Sequence, residues 1–344
     1  MIERWIKNDL TLKRLRRFKS VKRAVGAVWV LMFLIFISAT AEVWSNNKPI
    51  MMSYQGSFYL PVVRNYHPSV FGLDGHVTNY RAMNWEEQGN WALWPFVRWN
   101  PYESNESLAT YPAPPTKDNL FGTDDRGRDV LSRLIYGFRY SMGFALLVWF
   151  FSYAVGIFAG AVMGYGGGKI DLVGQRFVEI FDSLPYLLML LTLIAMLGAS
   201  LELLVAFSVL LGWMRISNYM RAEFLRLRKR DFVEAAKAQG VGTFRILFRH
   251  ILPNGLSPLI TFSPTEIAAG IYTLAILDYL GMGLPPPTPS WGELLQQAQN
   301  YFTIAWWLAV FPSMAMIITL TALTFVGEGV RVAFDPRKSM GGTA

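Results

Sequence analysis

The 344-residue sequence contains no cysteine, which removes disulfides, thiol catalysis and cysteine-ligated zinc and suits any redox compartment. Histidine is scarce as well: His67, His76 and His250 are too scattered to suggest a metal site. So is charge. Only 16% of residues are Asp, Glu, Lys or Arg, against roughly 25% in soluble domains, while 53% are apolar and the mean hydropathy is +0.29. That apolar excess has to face lipid. A nucleic-acid partner is not expected either, because the basic residues are not carried on a polar fold, and a pI near 9.6 in such a chain suggests membrane anchoring. No catalytic Ser-His-Asp spacing, HExxH pair or paired-carboxylate site stands out, so the isolated chain carries no candidate catalytic residue. The stretch GYGGGKID at 164 to 171 looks superficially like a phosphate-binding loop, but Ile170 follows the lysine and the flank is an apolar helix. Any energy source must come from elsewhere.

What the chain does have is long apolar windows of about 20 residues, the length that crosses a bilayer. They predict an all-α membrane protein with six spans, near 24 to 44, 140 to 164, 181 to 199, 203 to 220, 256 to 280 and 303 to 327. The first follows nine Lys/Arg between Arg4 and Arg23 and is read as a retained helix, since EVWSNNKP after it lacks a small-x-small cleavage site. Basic residues number nine before the first span, two between Tyr165 and Phe177, nine between Arg215 and His250 and three after Val330. These four segments share one face, which the positive-inside rule makes cytoplasmic, so both termini are inside. The fourth and fifth spans are weak: Arg215 sits near the end of one and is expected to snorkel to the cytoplasmic surface, and the other holds Glu266 and Asp278.

The organisation that follows is a basic cytoplasmic segment at 1–23, a first span at 24–44, an extracytoplasmic insert at 45–135, a multi-span core at 136–330 and a cytoplasmic tail at 331–344. The insert, rich in Trp, Tyr and Pro without a helical period, reads as a small loop-rich unit whose aromatics pack on something, or else as a linker. Gly156, Gly160 and Gly164 share one helix face, a packing signal. Between 231 and 254 two short cytoplasmic helices are expected, with Asp231 and Glu234 in a capping box, Gly240 as a positive-φ C-terminal cap, and Thr243 capping a second helix before Pro253 starts the next span. Composition leaves open whether this is an ordinary amphipathic surface helix.

The run EAAKAQG, then a gap, then RHILPN at 234 to 254 resembles the EAA motif of ABC importer permeases. LFGTDDRGRDVLSRLIYGFRYS at 120 to 141, LDYLGMGLPPPTPSWGELLQQA at 277 to 298 and VGEGVRVAFDPR at 326 to 337 resemble the corresponding stretches of oligopeptide/dipeptide importer permeases. The long Trp- and Pro-rich insert is most similar to that of permeases in microcin C-type peptide importers. The resemblance implies the type I importer permease fold in a bacterial inner membrane. It also implies a heterodimer with a homologous permease, ABC ATPase subunits that carry ATP and Mg, and an extracytoplasmic peptide-binding protein. In that family the helix-turn-helix docks into a groove of the ATPase, which would give Glu234, Ala235, Ala236, Gly240, Phe244, Pro253 and Asn254 an ATPase-coupling role.

The outer charges Asp124, Asp125, Arg126, Arg128 and Asp129 read either as a self-paired polar cap on the second span or as a dock for a binding protein. The prolines 285 to 287 and 289 stiffen an extended loop at a cavity mouth, and Trp291 is expected in the interfacial belt. Glu266 and Asp278, twelve apart and near one helix face, could meet a cationic group in the pathway or pair with a neighbouring helix. A second class of function, a self-sufficient secondary transporter or channel, would show internal repeats and charged relays over several spans; no clear repeat is seen, and the buried acids cluster in one span.

Overall fold

The computed structural model describes residues 8–86 and 89–335. Residues 1–7, which include Arg4 and Lys7 of the basic segment, and 336–344, which include Arg337, Lys338 and the end of the VGEGVRVAFDPR stretch, lie outside the described residues.

Among the described residues, five helical stretches are long and apolar enough to cross a membrane: α2 (Lys22–Ala39), α4 (Val130–Gly166), α7 (Leu201–Leu227), Thr243–Tyr279, which ends in α10 (Leu252–Tyr279), and α12 (Trp306–Phe334). A sixth span exists if α5 (Gly168–Asp182) and α6 (Tyr186–Leu197) count as one, and these meet at a bend of 75°. The span expected at 181 to 199 is therefore corrected. The twelve residues of α6 make a rod of about 18 Å, too short alone for a hydrocarbon core of about 30 Å. The break falls at Ser183–Pro185, where Pro185 has no N–H to donate and pushes Leu184 away from helical backbone. The second span begins at Val130, ten residues earlier than expected, because Asp129 caps it by accepting from the Ser132 N–H at 2.7 Å.

The bundle is held by close helix pairs. Along α4, an added Cβ on Gly156 would lie 2.7 Å from the Trp213 carbonyl oxygen, on Gly160 2.4 Å from that of Ser217, and on Gly164 2.6 Å from that of Arg221. The glycine stripe thus brings the α4 and α7 backbones into contact, the close approach that small residues permit. α10 packs between α4 and α12, and α2 lies along α12. The proline stretch at 285–289 is not helical, and a ten-residue helix follows it, α11 (Trp291–Asn300), capped by the Ser290 hydroxyl. Trp291 is not interfacial: it is 2% exposed, and its indole N–H donates to the Leu134 carbonyl at 3.0 Å inside a core with Phe138, Leu294 and Leu308.

Two smaller pieces flank the spans. α1 (Asp9–Ser20) lies against the end of α12, with Arg17 donating to the Asp335 carbonyl at 2.9 Å and the Arg14 guanidinium 4.3 Å over the Phe334 ring. After the four-residue α3 (Ala41–Trp44), the insert folds as an antiparallel sheet of β1 (Met51–Tyr54), β2 (Ser57–Tyr59) and β3 (Trp91–Leu93) in the order β2-β1-β3. Its aromatics pack on one another. Phe71 is ringed edge-on by Tyr59, Tyr54 and Tyr80 at 5.0, 5.8 and 6.0 Å, and Trp85 meets Trp94 at 6.2 Å, geometries that add to area burial.

Candidate functional site

The 231–254 segment forms one end of the bundle. α8 (Asp231–Ala238) starts one residue earlier than expected: the Arg230 carbonyl accepts from the N–H groups of Val233 and Glu234, at 2.9 and 3.1 Å, so Arg230 is the cap residue and no capping box forms. Asp231 and Glu234 instead occupy the first turn, where carboxylates meet the positive end of the helix dipole. At the other end Gly240 has φ +75°, with its N–H on the Lys237 carbonyl at 2.9 Å and the Val241 N–H on that of Ala236 at 3.0 Å. That is a Schellman closure, and a side chain at this φ would be strained although the space around it is open.

The chain then runs without a restart at Pro253. Gly242, not Thr243, is the cap of α9 (Thr243–Arg245), residues Ile246–Ile251 wind as a π-helix, and Pro253 lies in the first turn of α10. Proline cannot donate to a carbonyl one turn back, and the wider π turns precede it. The Asn254 amide donates to the His250 carbonyl at 2.7 Å. One face of α8, Val233 and Ala236, is buried against Ile246 and Ile251. The other leaves Phe232, Glu234 and Ala235 exposed, and in the turns that follow Phe244 and Phe248 are exposed too, with ring centroids 4.4 Å apart. Phe244 is 74% exposed. Exposed aromatics grouped this way mark an interaction surface.

At the opposite end, the 124–129 charges close on themselves and on residues that sequence reading did not single out. Asp124, fully buried, accepts from Arg128 Nε at 2.7 Å and from the N–H groups of Arg126 and Arg128 at 2.9 Å each. Arg128 reaches Glu293 at 3.0 Å, and Glu293 also pairs with the buried Arg133. Arg133 further donates to the carbonyls of Pro101 at 3.1 Å and of Pro287 and Thr288 at 3.3 Å each. Burial disfavours the Arg128 charge, yet Asp124 and Glu293 hold its pKa above the ordinary arginine value. Burial, aided by Asp124, raises Asp125, whose N–H donates to Gln297 at 3.4 Å; burial also pushes Asp129 up to about 6. The geometry is that of a polar clasp joining the insert, α4 and α11.

The two acids of α10 separate. Asp278 is buried and accepts from the Ser290 hydroxyl at 2.5 Å and the Leu284 N–H at 2.6 Å, which ties the helix end to the proline loop. Glu266 pairs with Arg215 of α7. Arg215 turns to Glu266 well inside the helix, since α7 continues twelve residues beyond it to Leu227. The pair borders a cavity of about 430 Å³ between α4, the end of α5 with Asp182, α6, α7 and α10. Among the described residues no group of three His, Cys, Asp or Glu could hold a metal ion.

Long apolar helices make this a multi-pass membrane protein, and residues 156–340 match the sequence model of the binding-protein-dependent transport system inner membrane component. The chain belongs to that family: it is an inner-membrane permease subunit of an ABC importer, with the type I permease fold, and the ATPase resides on a separate subunit. Within the family it is 39% identical to the inner membrane ABC transporter permease protein YejE of Escherichia coli K12, over 95% of this chain and 97% of that one. It is also 39% identical to the peptidoglycan transport system permease protein YejE of Agrobacterium fabrum, over 96% and 93%. The dipeptide transport system permease protein DppC of Bacillus subtilis is 32% identical over 67% of this chain and 73% of its own length.

Proposed function

We propose that this permease moves peptides or peptide-like conjugates inward, as one half of a pathway shared with a homologous permease. Two ATPase subunits carrying ATP and Mg drive it, and an extracytoplasmic binding protein delivers the cargo. The cargo assignment is supported by the relatives named for dipeptide and peptidoglycan transport, and a microcin C-type conjugate or a cell-wall peptide both fit that class. With both termini and the 231–254 segment cytoplasmic, the insert and the 124–129 clasp face outward.

The observation that carries the mechanism is the exposed face of α8, with Phe232, Glu234 and Ala235 on a helix stopped by Gly240, followed by the exposed Phe244 of α9 and joined through π turns to α10. Alanine lets another subunit approach closely, and a capped helix transmits a closing motion of the ATPases as rigid-body rotation of α7 and α10. Glu234, Ala235, Ala236, Gly240, Phe244, Pro253 and Asn254 are its coupling residues. Deleting the gene and feeding labelled tripeptide or a muropeptide fragment tests the cargo. Uptake is expected to fall to the level of an ATPase deletion and to return with the wild-type copy; uptake unchanged for every peptide class, with another solute lost, would refute it.

A further inference from the structure

We propose that the mid-span cavity is a subsite for the main chain of the transported peptide. Arg215 takes a carboxylate, Glu266 takes an ammonium group, and Ser152 donates to an amide carbonyl. The inference rests on the peptide reading above.

The depth of the pair is the first observation. Arg215 lies fourteen residues from the start of α7 and twelve from its end, and Glu266 fourteen and thirteen from the ends of α10. At 1.5 Å per residue both sit about 20 Å from either helix end, deep within the α7–α10 pair. Ions at that depth face a bundle interior or a water-filled cavity. Here the Arg215 side chain is 61% exposed and that of Glu266 19%, so the pair is open on the cavity side and not sealed between α7 and α10. The pair is neutral in itself, and Asp182 at the end of α5 adds a carboxylate to the lining. A lone anion gains little there, whereas a ligand with both signs can take Arg215 with one end and a carboxylate with the other.

The second observation is independent of the charges. Ser152 Oγ is buried without a hydrogen-bond partner among the described residues and its residue lines this cavity, beside Trp149 and Ser208, whose polar atoms are within reach of Tyr153 and Tyr186. A buried donor left unmet is unusual and asks for an explanation. Gly212 lies opposite Ser152; a Cβ there would stand 3.3 Å from the hydroxyl, so glycine keeps the approach open. A donor beside a split ion pair matches what every peptide shares, its carbonyls and its ends. A cavity of about 430 Å³ falls within the range of ligand pockets and holds a short stretch of chain.

The test is uptake of trialanine, its C-terminal amide and its N-acetyl form by the complete transporter with its binding protein in proteoliposomes. Arg215→Gln is expected to raise the half-saturating concentration of free trialanine about tenfold and to erase the difference between acid and amide. Glu266→Gln should erase the difference between free and acetylated amine. Ser152→Ala removes an unpaired hydroxyl, so a packing role leaves transport and thermal stability unchanged; a subsite role raises the half-saturating concentration about two- to tenfold at unchanged stability. Charge variants that keep wild-type sensitivity to blocked ends, or a silent Ser152→Ala, overturn the inference while leaving peptide import standing. If the charge variants fail to assemble, Ser152→Ala decides alone. No uptake of any peptide by a wild-type complex that hydrolyses ATP overturns the peptide reading and this inference with it.

Discussion

Replacing Arg133 by methionine is expected to destabilise the protein by about 3 to 5 kcal/mol, the usual cost of removing one partner from a buried ion pair. Arg133 is 0% exposed and pairs with Glu293, with Asp124 3.5 Å away. Methionine fills much of the volume but leaves the carboxylates with one buried arginine, Arg128, and leaves three carbonyls, those of Pro101, Pro287 and Thr288, without a donor. The loss should be local to the outer end. Trp291, which packs a turn away, is the natural fluorescence reporter, since its indole depends on the Leu134 carbonyl. Thermal unfolding in detergent should show an early transition in the variant, whereas Arg126→Met, at an exposed position in the same motif, should shift the midpoint little. A variant as stable as wild type would show that the clasp contributes no stability.

Gly160→Leu is expected to be the more severe lesion. The added Cβ alone would stand 2.4 Å from the Ser217 carbonyl and 2.8 Å from the Met220 Cβ, distances that only separation of the two helix backbones can relieve. Overpacking costs typically 1–3 kcal/mol where side chains can give way; here the obstacle is backbone, and a bulky leucine adds to it. The α4–α7 contact runs from Gly156 to Gly164, so the whole seam opens and the chain should be degraded or recovered aggregated from membranes. Gly143→Leu, on the same helix with open space around its Cα, is the control and should accumulate normally. Equal yields of the two variants would contradict the close packing described.

The two substitutions also mark what could be read ahead of the structure. The glycine stripe was legible because its period is local, and the positive-φ end of α8 because Gly240 follows a short alanine-rich run. The broken third span was not: the apolar window at 181–199 straddles the end of α5 and the whole of α6, and hydropathy has no term for a bend at Pro185. The depth of Arg215 was missed for the converse reason. Charged residues from Arg221 onward look like a loop, but α7 carries them on one continuous helix, with Asp171 of α5 pairing with Arg221. The clasp was half visible. Asp124 and Arg128 are four apart, while their partner Glu293 stands 165 residues beyond Arg128, a distance over which neither periodicity nor motif spacing carries information. The capping box failed by a single residue, because backbone bonds to the Arg230 carbonyl began the helix before the Asp231 side chain was needed.

Coupling through the 231–254 segment is the claim on which the functional reading stands. Gly240→Val places a β-branched residue at φ +75° with no clash elsewhere, so it loosens the helix stop without touching the spans. The measurement is peptide-stimulated ATP hydrolysis together with co-purification of the ATPase from membranes expressing the complete transporter. The expected result is a normally inserted permease whose ATPase is lost or no longer responds to peptide, with Glu234→Ala giving the same defect more mildly. Full ATPase recovery, full stimulation and wild-type uptake in Gly240→Val would contradict coupling at this site.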